Sequence, residues 1–151
     1  LLAVHAARLR SRQVVMPTRP RVLLADDHAG ILGALERVLS PECDIVGVVA
    51  DGLEAVEAAA RLQPVVAVVD LNLPKVSGLE VCRRIVQTSP RARVILITAV
   101  IDDGIRADAL AAGASGSFAK LRAGSELIDG IRAAWAECAV NAHAPTRPAT
   151  L

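Results

Sequence analysis

The sequence predicts an α/β fold, a doubly wound parallel sheet of five strands with five helices on its two faces. Three observations carry this. Five short apolar runs recur along the chain, and each leads into a segment whose apolar residues return at helical spacing. The runs are apolar nearly throughout rather than alternating, as strands covered on both faces are. Strand and helix alternate from one end to the other, which calls for parallel strands joined by helical crossovers, right-handed by rule.

The first strand is Arg21–Ala25. The helix after it sets Ile31, Leu32, Leu35, Val38 and Leu39 on one face and stops at Ser40-Pro41, because the residue before a proline is pushed out of the helical region. Strand Asp44–Val49 follows, then a helix carrying Leu53, Val56 and Ala60 that ends before Pro64. Strand Val65–Val69 leads through the turn Asn72–Gly78 into a helix with Leu79, Cys82, Ile85 and Val86, broken at Ser89-Pro90. Strand Arg93–Ile97 precedes a weaker, alanine-rich helix over Asp102–Ala112, with Gly113 as its C-cap. Strand Ser115–Ala119 comes last. The closing helix, Ser125–Ala139, places Ile128, Ile131, Trp135 and Cys138 on one stripe, with Ser125 as N-cap. Trp135 reads as an anchor, in the core or at an interface.

The 151 residues suit one domain with a sizeable core. No stretch is apolar enough to span a bilayer. Aromatic residues are 1% of the chain, with no Tyr, which argues against single-stranded nucleic acid held by base stacking. Arg8, Arg10, Arg12, Arg19 and Arg21 precede the first acid, Asp26; without them 12 basic residues face 16 acidic ones, a balance of −4. That body is a poor footprint for a polyanion and a good one for a cation. Cys43, Cys82 and Cys138 are odd in number and widely spaced. They read as reduced, packed thiols of a cytoplasmic protein rather than as a disulfide or zinc framework. Residues 1–20 form a basic extension with a transit-peptide flavour, in which Met16 is the preferred start. Residues 21–139 form the folded domain, and 140–151 are an Ala/Pro-rich tail or linker stump.

The chemistry lies at the strand ends. Asp26 and Asp27 end the first strand, Asp70 the third, Thr98 the fourth and Lys120 the fifth. Taken singly, an Asp after a strand is ordinarily a turn former, a Thr there a strand residue and a Lys a solvated charge. Together they fall where parallel sheets bind ligands, beyond the carboxyl ends of the strands. Clustered carboxylates repel, and a divalent cation relieves them. Mg²⁺ prefers oxygen ligands of this kind, whereas no His or Cys stands at zinc-ligand spacing. His28, beside the acidic pair, reads as a loop residue rather than a ligand. A carboxylate can accept a phosphoryl group, given positioning and charge neutralisation, which Lys120 and Thr98 can supply.

With these residues in place, the chain resembles the response-regulator receiver domains over about Arg21 to Ala139. The matching motifs are Leu24-Ala25-Asp26-Asp27-His28, Val69-Asp70-Leu71-Asn72-Leu73-Pro74 with Ser77-Gly78-Leu79-Glu80, Ile97-Thr98-Ala99, and Gly113-Ala114-Ser115-Gly116 before Lys120. The resemblance implies a flavodoxin-like sheet of order 2-1-3-4-5. It makes Asp70 the phosphoacceptor for a sensor histidine kinase or histidine phosphotransfer protein. Asp27 would bind Mg²⁺ directly, Asp26 mainly through water, and Asn72 through its backbone carbonyl. Thr98 would be the switch hydroxyl and Lys120 the cation paired with phosphate. The output would be altered partner binding, possible homodimerisation included, through the face formed by the fourth helix, fifth strand and fifth helix. No nucleic-acid or membrane binding by this chain, and no turnover of a separate substrate, is implied. Asp-Asp-His and Gly-Ala-Ser-Gly look most like the receivers of helix-turn-helix transcription factors, yet no output domain follows Ala139. The chain is then either a single-domain regulator or a receiver cut from a DNA-binding one.

Two positions depart from the family pattern. Ser117 stands where an inward-rotating aromatic is usual, with Phe118 beside it, and Leu121 stands where a proline often follows the Lys. A small hydroxyl cannot report a switch by filling a pocket, so loop and helix displacement would carry the signal. A Mg²⁺-dependent phosphatase is the enzymatic alternative. It is disfavoured because Asn72 occupies the position where such enzymes place a general acid. A nucleotide-binding module lacks a glycine-rich phosphate loop.

Overall fold

The computed structural model describes residues 18–120 and 124–141. The expectations for residues 1–17, for Leu121 and for residues 142–151 lie outside them. Five strands and five helices alternate: β1 (Arg21–Ala25), α1 (Ala29–Leu39), β2 (Asp44–Val49), α2 (Gly52–Leu62), β3 (Val66–Asp70), α3 (Gly78–Thr88), β4 (Arg93–Thr98), α4 (Asp103–Ala111), β5 (Gly116–Ala119) and α5 (Ser125–Asn141). All pairings are parallel, in the order β2-β1-β3-β4-β5. The predicted fold class and element boundaries hold to within two residues.

The strands divide by their place in the sheet. The central β1, β3 and β4 are buried nearly throughout, as expected of strands covered on both faces. The edge strands β2 and β5 are only partly buried, and Val48 is exposed. Alternate residues of the central strands enter two separate cores. Leu23, Ala67, Val69 and Leu96 pack on one side with Ala55 and Ala59 of α2 and Val81 and Ile85 of α3. Val22, Leu24, Val68, Ile95 and Ile97 pack on the other with Leu35 and Leu39 of α1 and Leu127 and Ile131 of α5.

Several helix faces differ from the hydropathy reading. On α2 the buried residues are Gly52, Ala55, Ala58 and Ala59, while Leu53 is 45% exposed and Ala60 is also exposed. Small side chains let this helix approach the sheet closely, and the larger apolar residues turn to the flanks. Val38 on α1 and Val86 on α3 are likewise at the surface, and Val81 takes the inner position instead. On α5 the buried stripe is Leu127, Ile131 and Ala134, with Ile128, Trp135 and Cys138 on its shoulder. Trp135 is therefore half-buried, lining a cavity of about 340 Å³ with Arg19, Pro20 and Cys43 at the amino ends of the strands.

The caps explain the boundaries. Asp51, Ser77 and Asp102 each accept a hydrogen bond from the backbone N–H three residues on, closing the starts of α2, α3 and α4. Ser125 is the first helical residue of α5 rather than its cap, and Gly124 O instead accepts from Ile128 N. Gly113 ends α4 as expected, with φ of 93°. Gly113 N–H donates to Leu110 O and Ala114 N–H to Ala109 O, the paired bonds of a Schellman motif.

Cys43 and Cys82 are buried, and Cys138 is half-exposed. Burial pushes the Cys82 thiol up to about 11, with Arg83 pulling slightly the other way. The folded protein then holds this proton while the unfolded chain releases it near 9.0. The stability it contributes is complete below that value and declines as pH rises toward 11. Iodoacetamide at pH 8 should therefore label Cys138 in the native protein and reach Cys82 only after urea unfolding. Native labelling of Cys82 would contradict this burial.

Candidate functional site

The strand order creates the site. From β1 the chain crosses outward to β2, and from β3 it crosses the other way to β4. The crevice between the carboxyl ends of β1 and β3 is thus left open by both connections. Asp26 and Asp27 sit just past β1, and Asp70 is the last residue of β3. Asp26 N–H donates to Val49 O at 3.1 Å, so the β1 ladder extends to the carboxylate it positions.

Asp26 is fully buried and Asp70 is 2% exposed, while Asp27 reaches solvent. Asp26 Oδ1 accepts from the His28 N–H at 2.9 Å, and Asp70 Oδ1 from the Asn72 N–H at 3.2 Å. The remaining oxygens converge on one cation. Lys120 Nζ lies 2.8 Å from Asp26 Oδ2 and 2.9 Å from Asp70 Oδ2. Beyond that ion pair, Asp26 Oδ2 has no hydrogen-bond partner among the described residues. Burial works against the Lys120 ammonium, but Asp26 and Asp70 outweigh it and raise its pKa above the usual lysine value. It is a fixed positive charge.

The charges do not balance. One carboxylate oxygen each from Asp26, Asp27 and Asp70, with a ring nitrogen of His28, lie within 4.8 Å of one another. At an effective dielectric of about 20, two unit charges at that separation repel by about 3 kcal/mol. Three carboxylates against one ammonium leave two negative charges, the complement of a divalent cation. All three offer hard oxygen atoms, which fits Mg²⁺.

Four adjacent strands contribute. Thr98, 5% exposed, ends β4 beside β3 and pairs with Ala119 of β5, one residue before Lys120. Asn72 is exposed in the loop after Asp70. The structure thus brings the predicted Asp26, Asp70 and Lys120 into contact and sets Asp27 within 4.8 Å of the two carboxylates, and strand register places Thr98 at the same rim, with Asn72 two residues past Asp70. His28 joins them: its Nδ1 lies 3.1 Å from Asp27 Oδ1 and 3.3 Å from Asp26 Oδ1, though the ring is largely exposed. Its adjacency to the acidic pair was the available signal.

Ser117 and Phe118 point to opposite sides of β5. Ser117 lines a groove of about 630 Å³ with Val100, Ile101, Arg106 and Glu126, and part of Phe118 borders the same groove. The partly buried Phe118 ring packs against the core on the α5 side, so near Gly130 that a Cβ there would come within 2.7 Å of it. Phe118 thus packs its ring tip against α5 while also bordering the groove beside Ser117.

No helix among the described residues is long and apolar enough to cross a membrane. Residues 22–132 match the family model of the response regulator receiver domain. The DNA-binding transcriptional activator DevR/DosR of Mycobacterium tuberculosis is 35% identical over 114 residues, which are 74% of this chain and 52% of that protein. The transcriptional regulatory protein LiaR of Bacillus subtilis is 34% identical over 116 residues, 76% of this chain and 55% of that one. This chain thus spans about half the length of the curated relatives it matches. Among solved structures, the response regulator domain of Thermotoga maritima CheB superposes with a TM-score of 0.73 at 30% identity, covering 78% of this chain and 97% of that one. With the parallel sheet of order 2-1-3-4-5 and the acidic crevice at its switch point, these matches place the chain in the response regulator receiver domain family of two-component signalling.

Proposed function

We propose that this chain is a phosphorylation-controlled switch whose phosphoacceptor is Asp70, within a receiver unit of residues 21–139. One observation carries the reading: a buried carboxylate at the end of β3 is faced at 2.9 Å by a lysine ammonium, with two further carboxylates alongside. The donor class is a phosphohistidine of a sensor kinase or phosphotransfer protein. An Asp70 oxygen attacks phosphorus, a new O–P bond forms, and the P–N bond breaks. Its electron pair returns to the imidazole, which takes up a proton. Lys120 neutralises part of the charge on the transferred group, and the Thr98 hydroxyl donates a hydrogen bond to it. Asp27, Asp70 and the Asn72 carbonyl would hold Mg²⁺ directly, with Asp26 acting mainly through water. When bound, the ion supplies the charge neutralisation that one lysine cannot.

The phosphoryl group carries about −1.5 to −2 charges in place of the single carboxylate charge, and its oxygens draw Thr98 and Lys120 inward and bias the β4–α4 loop between two positions. Ser117, in place of an aromatic, has no ring with which to fill the groove beside it. The signal passes through displacement of the loop and α4, toward a partner or second copy at the α4–β5–α5 face. The switch works in the cytoplasm and turns over no separate substrate. A second reading, that it governs a DNA-binding output, is favoured by the likeness to DevR/DosR, a DNA-binding transcriptional activator.

Acetyl phosphate with Mg²⁺ should add one phosphoryl group to the intact protein, and chelation should prevent it. Steady multiple turnover of small phosphoesters would favour a phosphatase instead. Mg²⁺ at about a hundredfold over its Kd should raise the unfolding free energy by about 2.7 kcal/mol. Urea titration checks this, and Asp27→Asn should lose most of the gain. Unfolding curves that coincide with and without Mg²⁺ would exclude the site.

A further inference from the structure

The loop between Asp70 and α3, residues 71–77, carries Asn72, and its course is tied at three points. At its base the Gly78 N–H donates to Leu71 O at 2.9 Å. At its tip the Gly52 N–H donates to Pro74 O at 3.1 Å. The loop lies so close there that a Cβ on Gly52 would come within 2.7 Å of Val76 Cβ. The third tie is a charge pair, Lys75 Nζ to Asp51 Oδ2 at 3.1 Å.

Lys75 has φ of 68°, a left-handed conformation that is costly for a residue with a side chain. Such a residue persists where its surroundings hold it. Asp51 is placed to do so. It is buried at the end of β2, on the same rim as Asp26, and its Oδ1 is already engaged by the Glu54 N–H at 2.9 Å. That bond, and then Lys75, keep its pKa below the usual carboxylate value against the cost of burial. One carboxylate therefore caps α2 with one oxygen and grips the loop after Asp70 with the other.

We propose that Asp51 and Lys75 are a positioning pair: through them the β2–α2 turn latches the β3–α3 loop and holds the Asn72 carbonyl in place for the divalent cation that Asp70 shares. This rests on the reading of Asp70 and Asn72 given above. Neither Asp51 nor Lys75 belongs to the cluster of Asp26, Asp27 and Asp70 that would hold the ion. An ordinary surface ion pair would shift stability slightly and metal affinity not at all.

The test is Mg²⁺ binding, followed by calorimetry and by the amide resonance of Asn72. The proteins are the unsubstituted chain, Asp51→Asn, Lys75→Met, the double variant and Lys75→Arg. Asn caps a helix about as well as Asp, so Asp51→Asn removes the charge and spares α2. Lys75 is largely exposed, so its substitution spares the core. Each single variant should bind Mg²⁺ about three- to tenfold more weakly, within the range of outer-sphere effects on metal sites. The double variant should lose no more than either single one, and Lys75→Arg should recover most of the affinity. Unchanged affinity in both single variants, or losses that add in the double, would overturn the latch. An unsubstituted protein that binds no Mg²⁺ would overturn the reading of the site itself, a result distinct from intact binding indifferent to Asp51.

Discussion

Asp70→Asn takes up no phosphoryl group from acetyl phosphate and Mg²⁺, while the unsubstituted protein takes up one. The amide keeps the shape of the carboxylate and its bond to the Asn72 N–H, yet offers no anionic nucleophile. The loss is in chemistry rather than folding, because the substitution has two opposed effects on stability. It removes an attraction, the 2.9 Å pair with Lys120, and a repulsion, the charge shared with Asp26 and Asp27. Lys120 keeps Asp26 at 2.8 Å. Unfolding free energy without Mg²⁺ should therefore change by no more than about 1 kcal/mol. Mg²⁺ should bind more weakly, with one charged ligand gone. Intact-mass spectrometry reads the adduct and urea unfolding reads the stability. An undiminished adduct on Asp70→Asn would move the acceptor to another residue.

Gly78→Ala should lower stability by about 2–3 kcal/mol, or roughly 10 °C in Tm. Intrinsic preference argues the other way, since Ala is favoured over Gly in a helix by about 1 kcal/mol. Packing decides the sign. A Cβ on Gly78 would lie 2.7 Å from Leu71 Cα and closer still to the Asp70 carbonyl oxygen. That backbone cannot retreat easily, because Gly78 N–H donates to Leu71 O and Leu71 N–H donates to Ile97 O at 2.8 Å. The control is Gly33→Ala on α1, where an added Cβ meets nothing within 4 Å. There the same change should stabilise by about 0.5–1 kcal/mol. Thermal unfolding of the two variants should move in opposite directions, and a stabilised Gly78→Ala would contradict the close approach. Because the obstructed atoms belong to Asp70 and Leu71, the variant should also accept phosphate more slowly.

The strands were legible because their cause is local. A run such as Val65–Val69 is apolar at every position, and only a buried central strand needs that. The acidic crevice was legible for a related reason: charges at the ends of such runs can lie only at the rim. The rotation of the helices was harder to read. Hydropathy gives most weight to large residues, so Leu53 was expected inward on α2 with Val56, and only Val56 packs against the core. The structure instead seats Ala55, Ala58 and Ala59 there, because closeness of approach outweighs side-chain area at that contact. On α5 the same bias favoured Trp135 over Ala134. The tie between Asp51 and Lys75 was illegible because it joins two loops 24 positions apart with nothing periodic to mark them. His28 was adjacent to its partners in sequence, and only the direction of its ring was missing.

The chain holds a single Trp and no Tyr, and Trp135 lies at the amino ends of the strands, while the carboxylates lie at the other pole. Intrinsic emission from this protein is therefore a local witness to the floor of the sheet, blind by distance to ions arriving at its mouth. Light and chemistry watch opposite poles. A change in emission on phosphorylation would measure how far the sheet transmits an event, rather than whether the event took place.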